Sequence, residues 1–176
     1  RYRDAPFMVY PSYLGGHNWH PMSFSPQTGL VYIPVLDLPA VYGQPESFHY
    51  NPGVSNTGTD MIVGALPDDQ AERDALRALL KGRLLAWDPV RQQEAWRVEH
   101  QGPWNGGTLA TAGNLVFQGT ADGALSAYDA RNGEHMWRYP TQTGVVAPPI
   151  SYEIDGEQYI SVNVGWGGAY ALVFGE

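Results

Sequence analysis

An all-β fold built from repeated four-stranded antiparallel sheets is predicted by three features of the sequence. The first is composition: 6 Trp and 11 Tyr accompany 21 Gly and 14 Pro, a mixture suited to short strands joined by tight turns. The second is an internal repeat. The stretch "RLLAWDPVRQQEAW" (83–96) aligns without a gap on "ALSAYDARNGEHMW" (124–137), so Ala86 and Ala127, Asp88 and Asp129, and Trp96 and Trp137 are each separated by 41 residues. The third is that the second copy sits inside a run that reads as four complete strands. A period of about 40–45 residues made of strands signals the blades of a β-propeller. The chain is therefore expected to be a partial β-propeller of about three blades, the last incomplete, with one helical insertion.

The first blade is expected over residues 15–100. Its inner pair is "WHPMSFS" followed by "GLVYIPV", an alternating apolar strand, and it finishes with "RLLAWDP" and "EAWRVEH". Between its second and third strands lies an insertion, 36–82. The part "LDLPAVYGQPESFHYNPGVSNTGTD" is rich in Pro, Gly, Ser and Asn and has no sustained period, which reads as a long surface loop. The part "LPDDQAERDALRALLKG" predicts a helix over 69–81. Asp68 or Asp69 can cap it, Leu76, Leu79 and Leu80 form an apolar stripe, and Gly82 can stop it.

The second blade, 103–142, is complete in outline: "GGTLATA", "NLVFQGT", "GALSAYD" and "EHMWRYP". The turns Asp122-Gly123 and Asn132-Gly133 offer the positive φ angles that tight hairpins need. The third, 145–176, offers "APPISYE", "EQYISVNVG" and "GAYALVF" and lacks a fourth strand. Residues 1–176 thus read as one segment of a propeller domain. Its open edges call for the remaining blades, or a partner chain supplying them, because unpaired sheet edges aggregate.

Charge and missing residue types narrow the function. Ten Lys and Arg stand against 18 Asp and Glu, a formal net charge of -8, so there is no basic field to attract nucleic acid. No apolar run is long enough to span a membrane. Cys is absent, which removes disulfides, thiolate metal sites, a Cys nucleophile and covalent haem attachment within the segment. There are no signal-peptide features, and the chain opens on Arg1, as expected of a segment of something longer.

The pattern Ala127, Asp129, Gly133 and Trp137 resembles the tryptophan-docking motif of the eight-bladed quinoprotein dehydrogenases. The earlier copy keeps Ala86, Asp88 and Trp96 but has Gln92 where the Gly belongs, so its turn is expected to differ. Together with "HNWHPMSF", "GLVYIP", "LLAWDP", "WNGGTLATAGNLVFQGTADG" and "GWGG", nearly the whole chain resembles the last third of the catalytic propeller of quinohaemoprotein alcohol dehydrogenases. A WD-repeat propeller, suggested by Trp87-Asp88, fits less well. It needs an upstream Gly-His, and the second copy reads Tyr128-Asp129.

The resemblance implies periplasmic oxidation of primary alcohols to aldehydes, with pyrroloquinoline quinone and calcium as cofactors and haem c in a following domain. It implies that Asn18 and Trp19 contact the quinone edge, that Val164, Gly165 and Trp166 lie near the cofactor, and that Trp104 lies towards the substrate. Inner strands begin near a propeller's central channel, so polar groups at their start can face a ligand. Each residue also has a plainer reading. Asn18 can cap a turn, and Trp104 and Trp166 can simply pack. His17 and His20, three apart and without a third ligand, make a weak metal site. The glycines of "PWNGG" and "VGWGG" can let backbone approach a flat ligand.

In the family the calcium ligands, the catalytic Asp, the vicinal disulfide and the Trp beneath the quinone come from earlier blades. None maps here. Asp88 and Asp129 occupy docking positions, and Asp60, Asp68 and Asp69 lie on the insertion, so none is assigned as catalytic base. The segment alone is expected to be inactive. Two other classes remain open: a non-catalytic propeller scaffold, similar to the outer-membrane assembly lipoproteins that share the repeat, and an aromatic-rich carbohydrate-binding module.

Overall fold

The computed structural model describes residues 4–54, 56–59 and 69–167. Twelve strands and one helix are seen among them. The first four-stranded sheet is formed by β2 (Ser23–Ser25), β3 (Leu30–Asp37), β5 (Lys81–Asp88) and β6 (Gln93–Gln101), hydrogen-bonded in that order. The second is β7 (Thr108–Ala110), β8 (Leu115–Thr120), β9 (Ala124–Asp129) and β10 (His135–Pro140). A hairpin of β11 (Ile150–Ile154) and β12 (Glu157–Ser161) follows. Its turn, Asp155-Gly156, has φ of 52° and 82°, the double positive φ of a tight two-residue hairpin. The third strand expected there, "GAYALVF", lies outside the described residues.

All these pairings are antiparallel, and alternation decides what each strand buries. In β3, Leu30, Tyr32, Pro34 and Leu36 point inward while their neighbours are half exposed. In β9 every residue is buried, because that strand is covered on both faces.

The 41-residue repeat recurs in atomic detail. Trp96 stands opposite Ala86 and Trp137 opposite Ala127, and each pair is followed by a register shift of the same kind. Asp88 Oδ1 accepts hydrogen bonds from the backbone N–H groups of Val90 (3.0 Å) and Arg91 (2.9 Å). Asp129 Oδ1 accepts from Arg131 N–H (2.8 Å). Both motif aspartates thus close their own turns. Gln92, expected to alter its turn, has φ of 54° against 75° at Gly133. The two turns share the left-handed conformation, and the ladder on either side imposes it on a residue that resists it.

The two sheets meet through Trp96. Its indole lies on the turn of the next sheet, so close to Gly133 that an added Cβ would come within 2.6 Å of the ring. Trp96 Nε1–H donates to Ala130 O (3.2 Å), and Tyr32 O–H donates to the same carbonyl (2.8 Å). Around them Leu30, Tyr32, Leu84, Ala86 and Trp96 pack against Val116, Tyr128 and Ala130 in one buried cluster. Trp137 holds the corresponding position on β10 but is 47% exposed, beside exposed Met136 and Tyr139.

Three expectations about the insertion are corrected. The helix α1 runs Gln70–Leu79, two residues shorter at its C-terminus than expected, because Lys81 and Gly82 are taken into β5 opposite Asp37 and Leu36. Gly82 is therefore mid-strand and does not end the helix. Of the apolar stripe, Leu79 is exposed, and Leu80, just past the helix, is buried. The loop before it is not wholly irregular either, since β4 (Ala40–Tyr42) pairs with β1 (Phe7–Val9). Asp69 caps α1, accepting from Glu72 N–H at 3.0 Å. Asp60 and Asp68 lie outside the described residues.

Replacing Trp96 removes both the packing and a donor to Ala130. Trp96→Ala is expected to destabilise the protein by about 3–5 kcal/mol in urea unfolding. Gln92→Gly, which relieves the positive φ, is expected to be neutral or to stabilise by up to about 1 kcal/mol in the same measurement.

Candidate functional site

The polar segment before β2 folds over the end of β3. Ser12 N–H donates to Leu38 O (2.7 Å) and Leu36 N–H to Gly16 O (2.9 Å), tying this loop to the strand that leads into the insertion. Asn18 sits within it. Its Nδ2 donates to Leu14 O (2.9 Å), and its Oδ1 accepts from Trp19 N–H (2.8 Å). The amide does close a turn, yet it retains one N–H and one lone pair beyond these two bonds. His17 Nδ1–H donates to Pro34 O at 2.8 Å, which commits that edge of the imidazole.

Aromatic rings connect this loop to the second sheet. Trp19 is 55% exposed, and its indole stacks on His20 with centroids 4.2 Å apart and planes at 24°. His20 is fully buried and meets Trp104 edge-on at 4.7 Å and 81°. Trp104, itself 4% exposed, belongs to a second apolar cluster with Leu36, Leu38, Leu80 and Val146, against which Leu14 and Trp166 pack. The two roots of the insertion, Leu38 and Leu80, thus form part of the support beneath the rings.

The backbone after β12 reaches the same apolar cluster through Trp166. Gly165 N–H donates to Gly144 O (3.0 Å), and Val145 bridges Gly165 in parallel. Trp166 lies so near Gly144 that a Cβ there would come within 2.5 Å of the indole. At Gly165, φ is 139° and a Cβ would meet nothing within 4 Å. Val164 beside it is 48% exposed.

Trp19 is thus linked to Trp104 through His20, Asn18 bonds Leu14, and Leu14, Trp104 and Trp166 meet at one apolar cluster, with Val164 and Gly165 just before Trp166 in the chain. Trp104 lies behind His20 and not on the open surface. The residues of the repeated motif, Ala86, Asp88, Trp96, Ala127, Asp129, Gly133 and Trp137, belong to a separate region. The glycines of "PWNGG" do not approach an open surface. Gly106 is filled from the protein itself by Val145 O, 2.8 Å from a would-be Cβ, and Gly107 by the Pro21 ring at 2.6 Å. Asn105 is also spent internally, on Gly102 O and Ala121 N–H. Sequence reading considered His20 solely as a metal ligand, and its place between two indoles is the feature that was missed. The Trp residues on either side in "NWHP" and "PWNG" were the available signal.

Burial, with a smaller contribution from nearby His17, lowers the His20 pKa to about 4, so the ring is neutral near pH 7. Burial also lowers that of His100. Bonds from Arg131 hold the Asp129 carboxyl at about 2, as suits a turn cap and not a proton acceptor. Among the described residues no three His, Asp or Glu side chains are grouped to hold a metal.

Stacked four-stranded antiparallel sheets, joined by an outer-strand Trp and carrying an aromatic patch at the entrance of the inner strands, define a β-propeller segment. Residues 81–160 match the family model for the glucose/ethanol/alcohol dehydrogenase beta-propeller domain that carries the PQQ name. The chain is 54% identical over 172 residues to the quinohemoprotein alcohol dehydrogenase of Comamonas testosteroni, covering 96% of this chain and 24% of that one. It is 50% identical to the 1-butanol dehydrogenase (cytochrome c) of Thauera butanivorans, over 93% of this chain and 23% of the relative. The structure of a quinohemoprotein alcohol dehydrogenase from Pseudomonas putida superposes with a TM-score of 0.87 at 44% identity, covering 93% of this chain and 24% of that one. The chain is thus similar, over nearly all of its own length, to part of the quinohaemoprotein alcohol dehydrogenases, and it spans about a quarter of the length of the relatives it matches.

Because the folded pKa of His20 lies below its unfolded value, the unfolded state takes up the proton first as pH falls. Stability is complete above about pH 6.5, declines between 6.5 and about 4, and is then level, a loss of about 3 kcal/mol for a shift of this size. His100 acts with the same sign. Urea unfolding between pH 7.5 and 4 should show this decline, and His20→Phe should remove the His20 share of it.

Proposed function

We propose that this chain forms one wall of the quinone site in a periplasmic alcohol dehydrogenase that oxidises primary alcohols to aldehydes. The observation that carries the proposal is that the segments bearing the exposed Trp19 indole, the half-exposed Val164 and the open Gly165 backbone are rooted in one apolar cluster, where Leu14, Trp104 and Trp166 pack. A flat, polar-edged cofactor suits that surface: glycine leaves room for a ring, indole walls it, and an amide can bond its rim. When bound, pyrroloquinoline quinone supplies the hydride acceptor, with calcium to polarise its carbonyl.

The roles of this chain's own residues follow. Asn18 directs its remaining N–H to the quinone periphery, held in place by Leu14 O and the Trp19 backbone. Trp19 and Val164 exclude water from one side of the site. Gly165 is anchored through its N–H to Gly144 O, so that the backbone there stays in position as the ligand arrives. Trp104, buried behind His20, backs the substrate side of the site without reaching the surface itself.

The calcium ligands and the base that takes the alcohol proton are assigned to the remaining propeller blades or a partner chain, and haem c to a following domain. The units 15–100, 103–142 and 145–176 are proposed as successive blades, with Trp96 and Trp137 as docking tryptophans. The scaffold alternative is disfavoured, since each relative described above is a dehydrogenase by name.

The test is reconstitution of the full-length, cofactor-free protein with pyrroloquinoline quinone and calcium, following quinone absorbance and dye-linked ethanol oxidation. Quinone-dependent turnover is expected. Asn18→Ala and Trp19→Ala should each weaken quinone binding by roughly tenfold, about 1.4 kcal/mol. Quinone binding with neither variant affected would remove this wall from the site, and absence of binding by the parent protein would favour the scaffold.

A further inference from the structure

We infer that His20 is a positioning residue that sets the orientation of the exposed Trp19 indole, acting as a flat, uncharged slab between it and the buried Trp104. The role of Trp19 towards the quinone rests on the proposal above. The role of His20 towards Trp19 rests on the geometry alone.

Neighbouring residues in an extended chain point to opposite sides, so Trp19 and His20 could not stack there. They do so because the chain bends at these two positions, between the Asn18 turn and Pro21. Pro21 biases His20 away from helical backbone. Its carbonyl accepts from Thr108 N–H at 2.9 Å, which ties this point to the first residue of β7. The imidazole then has one edge-on neighbour, Trp104, held in an apolar cluster drawn from β3, the insertion and the loops that flank the second sheet. On its other side lies the face of Trp19 at 4.2 Å. Order passes from the core through Trp104 and His20 to an indole that is otherwise more than half in solvent.

The nitrogens indicate how His20 acts. The side chain is fully buried, and among the described residues neither Nδ1 nor Nε2 has a hydrogen-bond partner. A buried polar group without a partner costs stability, and replacing it by an apolar group of similar shape can be neutral or favourable. No hydrogen bond fixes this ring, so its position is set by packing. Burial keeps it neutral, which spares the stack a charge in an apolar place.

The experiment uses the full-length protein without cofactor, in wild-type, His20→Ala and His20→Phe forms, each also on a Trp19→Phe background. Two quantities are read: the Trp19 contribution to near-ultraviolet circular dichroism, taken as the difference between backgrounds, and the dissociation constant for pyrroloquinoline quinone. His20→Ala should lose most of the Trp19 signal and bind quinone roughly tenfold more weakly. His20→Phe, which keeps a flat ring and deletes both nitrogens, should retain the signal and bind within about twofold of wild type. Should His20→Ala not fold, His20→Leu, which fills the space without a flat face, carries the same expectation.

An unchanged Trp19 signal in His20→Ala or His20→Leu would overturn the inference. So would a folded His20→Phe that retains the signal yet binds as weakly as His20→Ala, because a nitrogen would then be making the contact. If Trp19 follows His20 as expected while the wild type binds no quinone, the positioning role stands and the proposed function fails.

Discussion

The carbonyl oxygen of Ala130 is the point on which the two sheets depend. It accepts from both Tyr32 O–H and Trp96 Nε1–H, two polar-tipped rings of the first sheet, and so satisfies in one place two donors that burial would otherwise strand. Everything near it serves that geometry. Asp129 closes the turn that presents the carbonyl, Gly133 leaves space for the indole, and the register shift on β6 and β10 aims the outer-strand Trp along the sheet. Where the same register position lacks such an acceptor among the described residues, at Trp137, the indole stays half exposed.

The aromatic patch is a second consequence of stacking sheets side by side. Thr108 receives Pro21 and Tyr32 from the neighbouring sheet, with its N–H donating to Pro21 O and its Oγ1–H to Tyr32 O at 3.2 Å. That contact brings the loop before β2 against the loop before β7. The polar, poorly strand-forming residues of "HNWHP" are tolerated there because they do not have to join a ladder. Some bond locally, as Asn18 does; one is buried in aromatic packing, as His20 is; and Trp19 is left facing outward. A site of this kind is held by the rigid sheets without being part of them.

Much of the sheet architecture was legible because the signals for it are local. Alternation in "GLVYIPV", the Gly turns at 123 and 133, and the 41-residue spacing of Ala, Asp and Trp all depend on residues near each other in the chain. Other features were not legible because a distant partner decides them. The last turn expected of the helix was lost when Asp37 and Leu36 recruited Lys81 and Gly82 into a strand. Gln92 adopts a glycine-like φ because the ladders around it allow nothing else. Gly106 and Gly107 were read as facing a ligand, whereas Val145 and Pro21 fill that space. Asn18, Trp19, Val164, Gly165 and Trp166 could be singled out by their resemblance to a family pattern. That Trp104 and Trp166 would meet Leu14 in one apolar cluster could not.

What the sequence determined by itself was the repeat, the all-β class and the Gly turns, since periodicity, φ preference and motif spacing are properties of consecutive residues. The tertiary structure alone decided which rings touch. It set Trp96 on the Ala130 carbonyl of the next sheet, buried Trp104 and left Trp19 open. It also held His20, which the sequence offered as no more than a weak metal ligand, between two indoles. The physical reason is that burial and close packing are set by residues far apart in the chain, and no local pattern specifies which of several aromatic rings will be covered.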